Sequence, residues 1–359
     1  MAVKILYIDD EKEIPHGDVQ DIQSRLEIPG EFECELSLPP VRLSDLPTMP
    51  DALLVDMDLS TAEINGEKID YLGSTLASEI RMRYSDRPIA LITKTQVITA
   101  LASQIQILED SVDVDLILEK DDVIEAPEVA RRKITALIDG FQKLAKVSKS
   151  DWEPVVKLMG ADEEEAKLLR EASAPIKKGM WTTPVVSRWI RNVVMGYPGI
   201  LYDELTAATR LGVNLESFQN EKVKVLFQPA EYAGIFAAYK KRWWRDRLFR
   251  EAQRLILKHN LSGPIPEKFI EAFTLEFGEQ LQPAVCIVDG TPVADWVCYI
   301  LYEPVKLENS IPYYPDSRPD VMDQARVSLK AIDESDKFDE NLVDADSFEL
   351  VVKPRWGLE

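Results

Sequence analysis

The stretch VKILYIDDE, residues 3–11, decides how the N-terminal part of the chain is read. Val3 to Ile8 form a nearly continuous apolar run, and two adjacent acids, Asp9 and Asp10, end it. A run of this kind suits a strand buried on both faces, in a parallel sheet covered by helices. The acids that finish it are then either residues of an acidic loop or ligands at the carboxyl edge of the sheet.

The neighbouring sequence chooses between these. Further apolar runs follow at FECELSL (32–38), ALLV (52–55), PIALIT (88–93) and VDLIL (114–118). Helical patterns separate them: EKEIPHGDVQDIQSRL, YLGSTLASEIRMRY and the mixed QVITALASQIQIL, with APEVARRKITALIDGFQKLAK after the last run. The segment SLPPVRLSDLPTMP is rich in proline, so any helix there is short or distorted. Strands alternating with helices predict a five-stranded, doubly wound parallel sheet over about residues 1–147. In such sheets ligands bind beyond the carboxyl ends of the strands, near the point where strand order reverses. The strands end in Asp9 and Asp10, in Asp56, in Thr93 and in Lys120. Three carboxylates, a hydroxyl and an ammonium therefore meet at one edge. Two like charges about 4 Å apart cost on the order of 4 kcal/mol at an effective dielectric near 20. A hard divalent cation relieves that repulsion, and magnesium suits oxygen ligands. Magnesium, a carboxylate, a lysine and a hydroxyl are the parts needed for phosphoryl transfer onto Asp56.

At these residues the chain resembles the receiver domain of two-component response regulators, over about residues 3–145. The resemblance rests on IDDE after the first strand, VDMD around Asp56, Thr93 ending the fourth strand and Lys120 ending the fifth. It implies that Asp9, Asp10 and Asp56 hold magnesium, Asp56 accepts the phosphoryl group, Thr93 is the switch hydroxyl and Lys120 contacts the phosphate. It also implies a histidine kinase or phosphotransfer protein as donor. Several positions depart from the family pattern. Lys94 stands where a small residue is usual, Ile117 where an aromatic switch is usual, and Asp121 where proline is usual. The segment DLSTAEINGEKIDYLGS after Asp56 is longer than usual.

Composition bounds the rest. The 359 residues carry a net charge of −21. Residues 1–149 hold 16 basic and 29 acidic side chains (−13), and the remainder 26 and 34 (−8). Both parts are acidic, which argues against a broad nonspecific grip on nucleic acid. The cysteines Cys34, Cys286 and Cys298 form no CxxC pair, and His16 and His259 lie far apart, so zinc and histidine-triad chemistry lack material. With no signal peptide and no membrane-length apolar run, the expectation is a cytoplasmic protein.

A linker is expected at VSKSDWEP (147–154), then a helical region over 155–280 and a β-rich or α+β part over 281–359, the last two forming one or two domains. Helices are expected at ADEEEAKLLREAS, SRWIRNVV, ILYDELTAATRLGV and along EYAGIFAAYKKRWWRDRLFREAQRLILKH. Strands are expected at AVCIVDG, DWVCYILYEPV, ARVSLKAI and FELVVKP, with the acidic run 333–347 as a solvated loop. Ala208, Gly212 and Phe218 have helix-turn-helix spacing within 201–225, but the second helix mixes two acids with two lysines. KKRWWRDRLFR (240–250) offers Lys240, Lys241, Arg242, Arg245 and Arg247 to a nucleic acid or an acidic partner, with Trp243 or Trp244 stacking; the alternative is an amphipathic helix with solvated charges. Asp316 and Arg318, framed by prolines in PDSRP, read as a loop clamp or a partner loop. Asp289, Asp295 and Cys298 complete no catalytic set.

The expectation is a response-regulator-like signalling protein, with no enzymatic activity beyond turnover of its own phosphoryl group, whose receiver controls a non-standard effector through protein–protein contact. Besides an enzymatic effector, which needs a formed pocket around Asp295 and Arg318, two alternatives stand beside it. One is a DNA-binding regulator using 201–225. The other is a receiver-like scaffold that needs neither magnesium nor phosphorylation, in a multi-protein signalling or defence system.

Overall fold

The computed structural model describes residues 2–11, 18–40, 50–59, 63–64, 67–69, 71–100, 111, 113–147, 152–173, 181–315 and 321–357. The chain forms two compact units. The first comprises residues 1–159 with 176–189 and 234–240; the second comprises 160–175, 190–233 and 241–359. These units cut across the sequence-based boundaries. Trp152, inside the expected linker, is buried against the rings of Trp181 and Trp189 in the first unit.

The first unit is built on five parallel strands: β1 (Val3–Ile8), β2 (Phe32–Ser37), β3 (Ala52–Asp56), β6 (Ile89–Thr93) and β7 (Leu116–Glu119). Their order is β2-β1-β3-β6-β7, a doubly wound, flavodoxin-like sheet whose order reverses between β1 and β3. Strands β3 and β6 are buried at every position, as central parallel strands should be. A two-residue antiparallel pair, β4 (Glu63–Ile64) with β5 (Glu67–Lys68), lies within the long segment after Asp56.

Helices α1 (Asp18–Leu26), α2 (Gly73–Arg83) and α3 (Thr95–Ala100) follow β1, β5 and β6, and α4 (Lys120–Glu125) and α5 (Pro127–Ala145) follow β7. Leu76, Ala77 and Ile80 of α2 pack on Leu53, Val55, Ile89 and Leu91 of the sheet. On α1, Val19, Ile22 and Leu26 are buried; on α5, Ile134, Leu137 and Phe141 are buried, and the two helices pack together. Arg81 and Asp115 form a buried ion pair, with Asp115 also accepting from the Ile89 amide at 3.0 Å.

Among the described residues the second unit holds two hydrophobic clusters. One gathers Phe218, Phe227, Trp243, Leu248, Ile256, Phe269 and Phe273, under helices Arg245–Lys258 and Ile265–Phe277. The other gathers Cys286, Cys298, Val305, Ile311, Val327 and Val352. Helix Glu163–Ala172 begins with a capping box in which Asp162 and Glu165 satisfy each other's backbone amides.

The C-terminal part is α+β, and its sheet among the described residues consists of short antiparallel pairs: Trp296–Val297 with Pro304–Val305, and Ser310–Pro312 with Arg326–Ser328. Several expected elements are corrected. FELVV is a π-helix, Phe348–Val352, rather than a strand, and only Val352 of it is buried. AVCIVDG makes a turn closed by an isolated bridge, Val285 to Pro292. The long amphipathic helix expected from residue 231 begins only at Arg245, because Phe236 takes a left-handed φ of 65° and Trp243–Trp244 pair as a strand with Leu201–Tyr202. The run 333–347 contains helical turns at Glu340–Leu342 and Ala345–Ser347. No helix among the described residues is long and apolar enough to cross a membrane.

Candidate phosphoacceptor and metal site

The sheet brings its strand-end residues together as the alternation of strands and helices requires. Asp9 follows β1 and is fully buried, Asp10 is half-buried, and Asp56 ends β3 with 6% exposure. Carboxylate oxygens of all three lie within 4.8 Å of one another. Lys120 sits at the start of α4, 3% exposed, with its Nζ 2.7 Å from Asp56 Oδ2 and 3.1 Å from Asp9 Oδ2. Thr93 is buried at the end of β6, whose Ile92 is paired with Asp56 in the sheet.

The electrostatics follow from burial. Desolvation pushes the Asp56 carboxyl up to about 7; Lys120 pulls it down and Asp9 pushes it up further. Burial alone would lower the Lys120 ammonium, but Asp56 and Asp9 outweigh it and hold its pKa above the ordinary lysine value. With all three acids ionised, one ammonium leaves two negative charges uncompensated. Three hard oxygen donors this close, with that residual charge, fit a magnesium ion.

Two residues that sequence reasoning passed over build the site from behind. Tyr7 donates its hydroxyl to Asp9 Oδ2 at 2.7 Å, and the Glu11 amide donates to Asp9 Oδ1 at 2.9 Å, so both oxygens of Asp9 are held. Burial, then the neighbouring Asp9, raises the Tyr7 phenol well above its usual value, so it stays a donor. Gly73 opens α2 against the carbonyl of Asp56. A Cβ there would lie 1.9 Å from that oxygen, and the Gly73 amide donates to the Met57 carbonyl at 3.0 Å. A tyrosine two residues before the acids, and a glycine heading the helix after Asp56, were the available signals.

The departures from the receiver pattern also have positions. Lys94 and Asp121 are exposed and Ile117 is half-buried. The Thr95 hydroxyl lies 2.7 Å from Glu119 Oε2 and 3.2 Å from Asp121 Oδ2.

The other candidates fall elsewhere. Asp316 and Arg318 lie outside the described residues. Lys240 and Lys241 are exposed, but Arg242 donates to the Met195 carbonyl, Arg245 pairs with Asp246 and Asp323, and Arg247 pairs with Glu165. Trp243 and Trp244 are both buried, so neither presents a face for base stacking. The amphipathic alternative for this run is corrected with the helix start at Arg245. In the 201–225 hairpin, the turn at Gly212 separates Glu204–Arg210 from a four-residue helix, Leu215–Phe218, whose Phe218 faces the core. Asp289 is exposed and tied to Thr291 and Asn309, while the buried Cys298 sulfur accepts from the Ser328 amide and hydroxyl. Asp295 contributes its carbonyl to Arg210.

No family model matches the chain, and no curated protein matches it. Among solved structures, it is similar to the response regulator DrrB of Thermotoga maritima, an OmpR/PhoB homologue, at 15% identity and a TM-score of 0.27, over 39% of this chain and 54% of that one. The match thus spans about half the length of DrrB. NtrX of Brucella abortus matches at 12% identity and a TM-score of 0.30, over 80% of this chain and 75% of that one. A Rhodopirellula baltica structure described as adenylate cyclase matches at 15% identity and a TM-score of 0.28, over 41% of this chain and all of that one.

Proposed function

We propose that the chain is a response-regulator-like signalling protein whose Asp56 accepts a phosphoryl group with magnesium bound. The observation that carries this reading is the Asp9–Asp56–Lys120 cluster: two buried carboxylates sharing one buried ammonium, with Asp10 within ligand distance.

Asp9, Asp10 and Asp56 would hold the cation, which when bound neutralises charge on the phosphoryl oxygens. An Asp56 carboxylate oxygen attacks the phosphorus of a phosphohistidine or small phosphodonor. The new O–P bond forms as the donor's P–N or P–O bond breaks, and the leaving group takes up the proton it needs. Lys120, already 2.7 Å from Asp56, then offers its ammonium to the incoming oxygens. The Thr93 hydroxyl is the donor for another. Tyr7 and the Glu11 amide hold both oxygens of Asp9 in place. The chemistry is positioning and charge neutralisation, with no further catalytic group needed. The phosphodonor is a histidine kinase or phosphotransfer protein, and the second unit acts as an effector through protein contact.

The test is incubation with magnesium and a small phosphodonor, followed by intact-mass measurement, with Asp56→Asn as control. A gain of one phosphoryl group that disappears in the variant is expected. An unmodified wild-type chain, with beryllofluoride also failing to bind, would overturn the reading in favour of a constitutive scaffold.

A further inference from the structure

The sheet of the first unit has a second end, away from the acids, and a cavity opens there. Val3 starts β1 and Phe32 starts β2. Asp9 lies beyond the other end of β1, about 20 Å from Val3 at roughly 3.3 Å per strand residue. Beside Val3 and Phe32 is a space of about 480 Å³, lined also by Ile28 and by Arg131, Arg132, Thr135 and Ala136 of α5. All of these residues belong to the first unit.

The backbone around this space is fixed. Ile28 and Phe32 exchange amide-to-carbonyl hydrogen bonds, both of 2.8 Å, across a turn in which Gly30 takes a left-handed φ of 78°. The Val3 amide donates to the Glu31 carbonyl at 2.9 Å. Arg131 donates to the Arg25 carbonyl in the last turn of α1, which ties α5 to α1. The opening is thus framed by elements that are already bonded to one another.

Its lining divides by chemistry. Phe32 and Ala136 are buried and Val3 and Ile28 half-buried, so the floor is apolar. The charged lining residues are Glu31, Arg131, Arg132 and Asp139, and all but the half-buried Arg131 are exposed. Asp139 is paired with Lys143 at 2.7 Å, whereas Arg132 forms no ion pair with a described residue. Arg131 and Arg132 set against Glu31 leave one positive charge over, in a stretch of chain that is otherwise strongly acidic. Liquid water takes about 30 Å³ per molecule, so the space suits a ligand of roughly a dozen non-hydrogen atoms.

We propose that this cavity binds a medium-chain aliphatic monocarboxylate, with its chain on Val3, Ile28, Phe32 and Ala136 and its carboxylate on Arg131 and Arg132. A guanidinium fork matches a carboxylate, and one negative charge balances the surplus. Phe32 supplies the one ring of the lining, so a flat aromatic body has little to stack on, while a flexible chain follows the branched and small side chains. The site lies at the opposite end of the sheet from Asp56 and does not depend on the reading of that residue.

The test is isothermal titration calorimetry of the full chain with octanoate, decanoate, decanol and 2-naphthoate. Each methylene buried should tighten binding about fourfold, so decanoate is expected to bind about tenfold or more tighter than octanoate. Decanol, which lacks the charge, and 2-naphthoate, which is flat, should both bind more weakly than decanoate. Two variants locate the ligand. Arg132→Gln should weaken decanoate binding about fivefold. Thr135→Trp, which sets an indole in the opening, should remove most of it. Both positions are exposed, so circular dichroism should show both variants folded. No heat with decanoate, decanol or 2-naphthoate binding as tightly as decanoate, or wild-type affinity in either variant overturns the site.

Discussion

Lys120 is the residue on which the site balances. Its ammonium stands between two buried carboxylates, and neither Asp9 nor Asp56 has enough water around it to bear its charge alone. Removing one partner from a buried charge cluster costs about 3–5 kcal/mol, because the remaining charge stays uncompensated. Lys120→Met should therefore lower stability by that order in urea unfolding without divalent cations. Millimolar magnesium should restore more stability to the variant than it adds to the wild type. An equal gain in both proteins would mean that the three acids do not bind the ion. Tyr7 acts on the same balance from the other side. Its hydroxyl donates to a buried carboxylate, a bond worth about 1.5–3 kcal/mol. Tyr7→Phe should lose about that much stability, read from the urea midpoint, and a change below about 0.5 kcal/mol would show that Asp9 is held without it.

Among the elements, α2 is the one whose start is most constrained. Its first residue has no room for a side chain, since a Cβ at Gly73 would strike the carbonyl of Asp56. Gly73→Ala must push the helix or the acceptor loop aside, and overpacking of this kind costs about 1–3 kcal/mol. Circular dichroism should show native helix content with a lowered melting temperature, and beryllofluoride affinity should fall at the same time. Unchanged affinity would show that the helix start does not set the geometry at Asp56. The parallel sheet and its strand-end acids were legible because each strand is a continuous apolar run whose last residue must sit at the carboxyl edge. Tyr7 and Gly73 were harder to see, since one looks like an ordinary strand residue and the other like an ordinary helix start. The second unit was less legible still. Its strands are two or three residues long, too short to carry a period, so their pairing is set by contacts far apart in sequence. The aromatic spacing of 236–256 imitates a helix, yet Phe236 bends the chain where the pattern predicts it to run straight.

For the whole molecule, the cysteines report on both units. Cys34 is buried in the first, Cys286 and Cys298 in the second. Burial, then the nearby Glu27, pushes the Cys34 thiol up to about 12. A native sample at pH 8 should not react with a thiol reagent, whereas three thiols should react in denaturant. Rapid labelling of native Cys34 would contradict its burial. The sign of its effect on stability follows from the raised value. The unfolded thiol ionises near 9 and the folded one near 12, so the contribution is intact below 9 and is lost as pH rises toward 12. Cys34→Ala should flatten that alkaline decline in unfolding free energy. The interleaving of the units has a broader consequence. Each is assembled from three stretches of chain, so the polypeptide crosses from one to the other five times. A domain attached by a single join can be exchanged between proteins as a cassette, its gene segment moving intact. Here no single splice point separates the halves: a break before residue 160 cuts the first unit, one after 240 cuts the second, and one between them cuts into both. The two units are therefore expected to be inherited together, because no single crossover exchanges one of them and leaves the other whole.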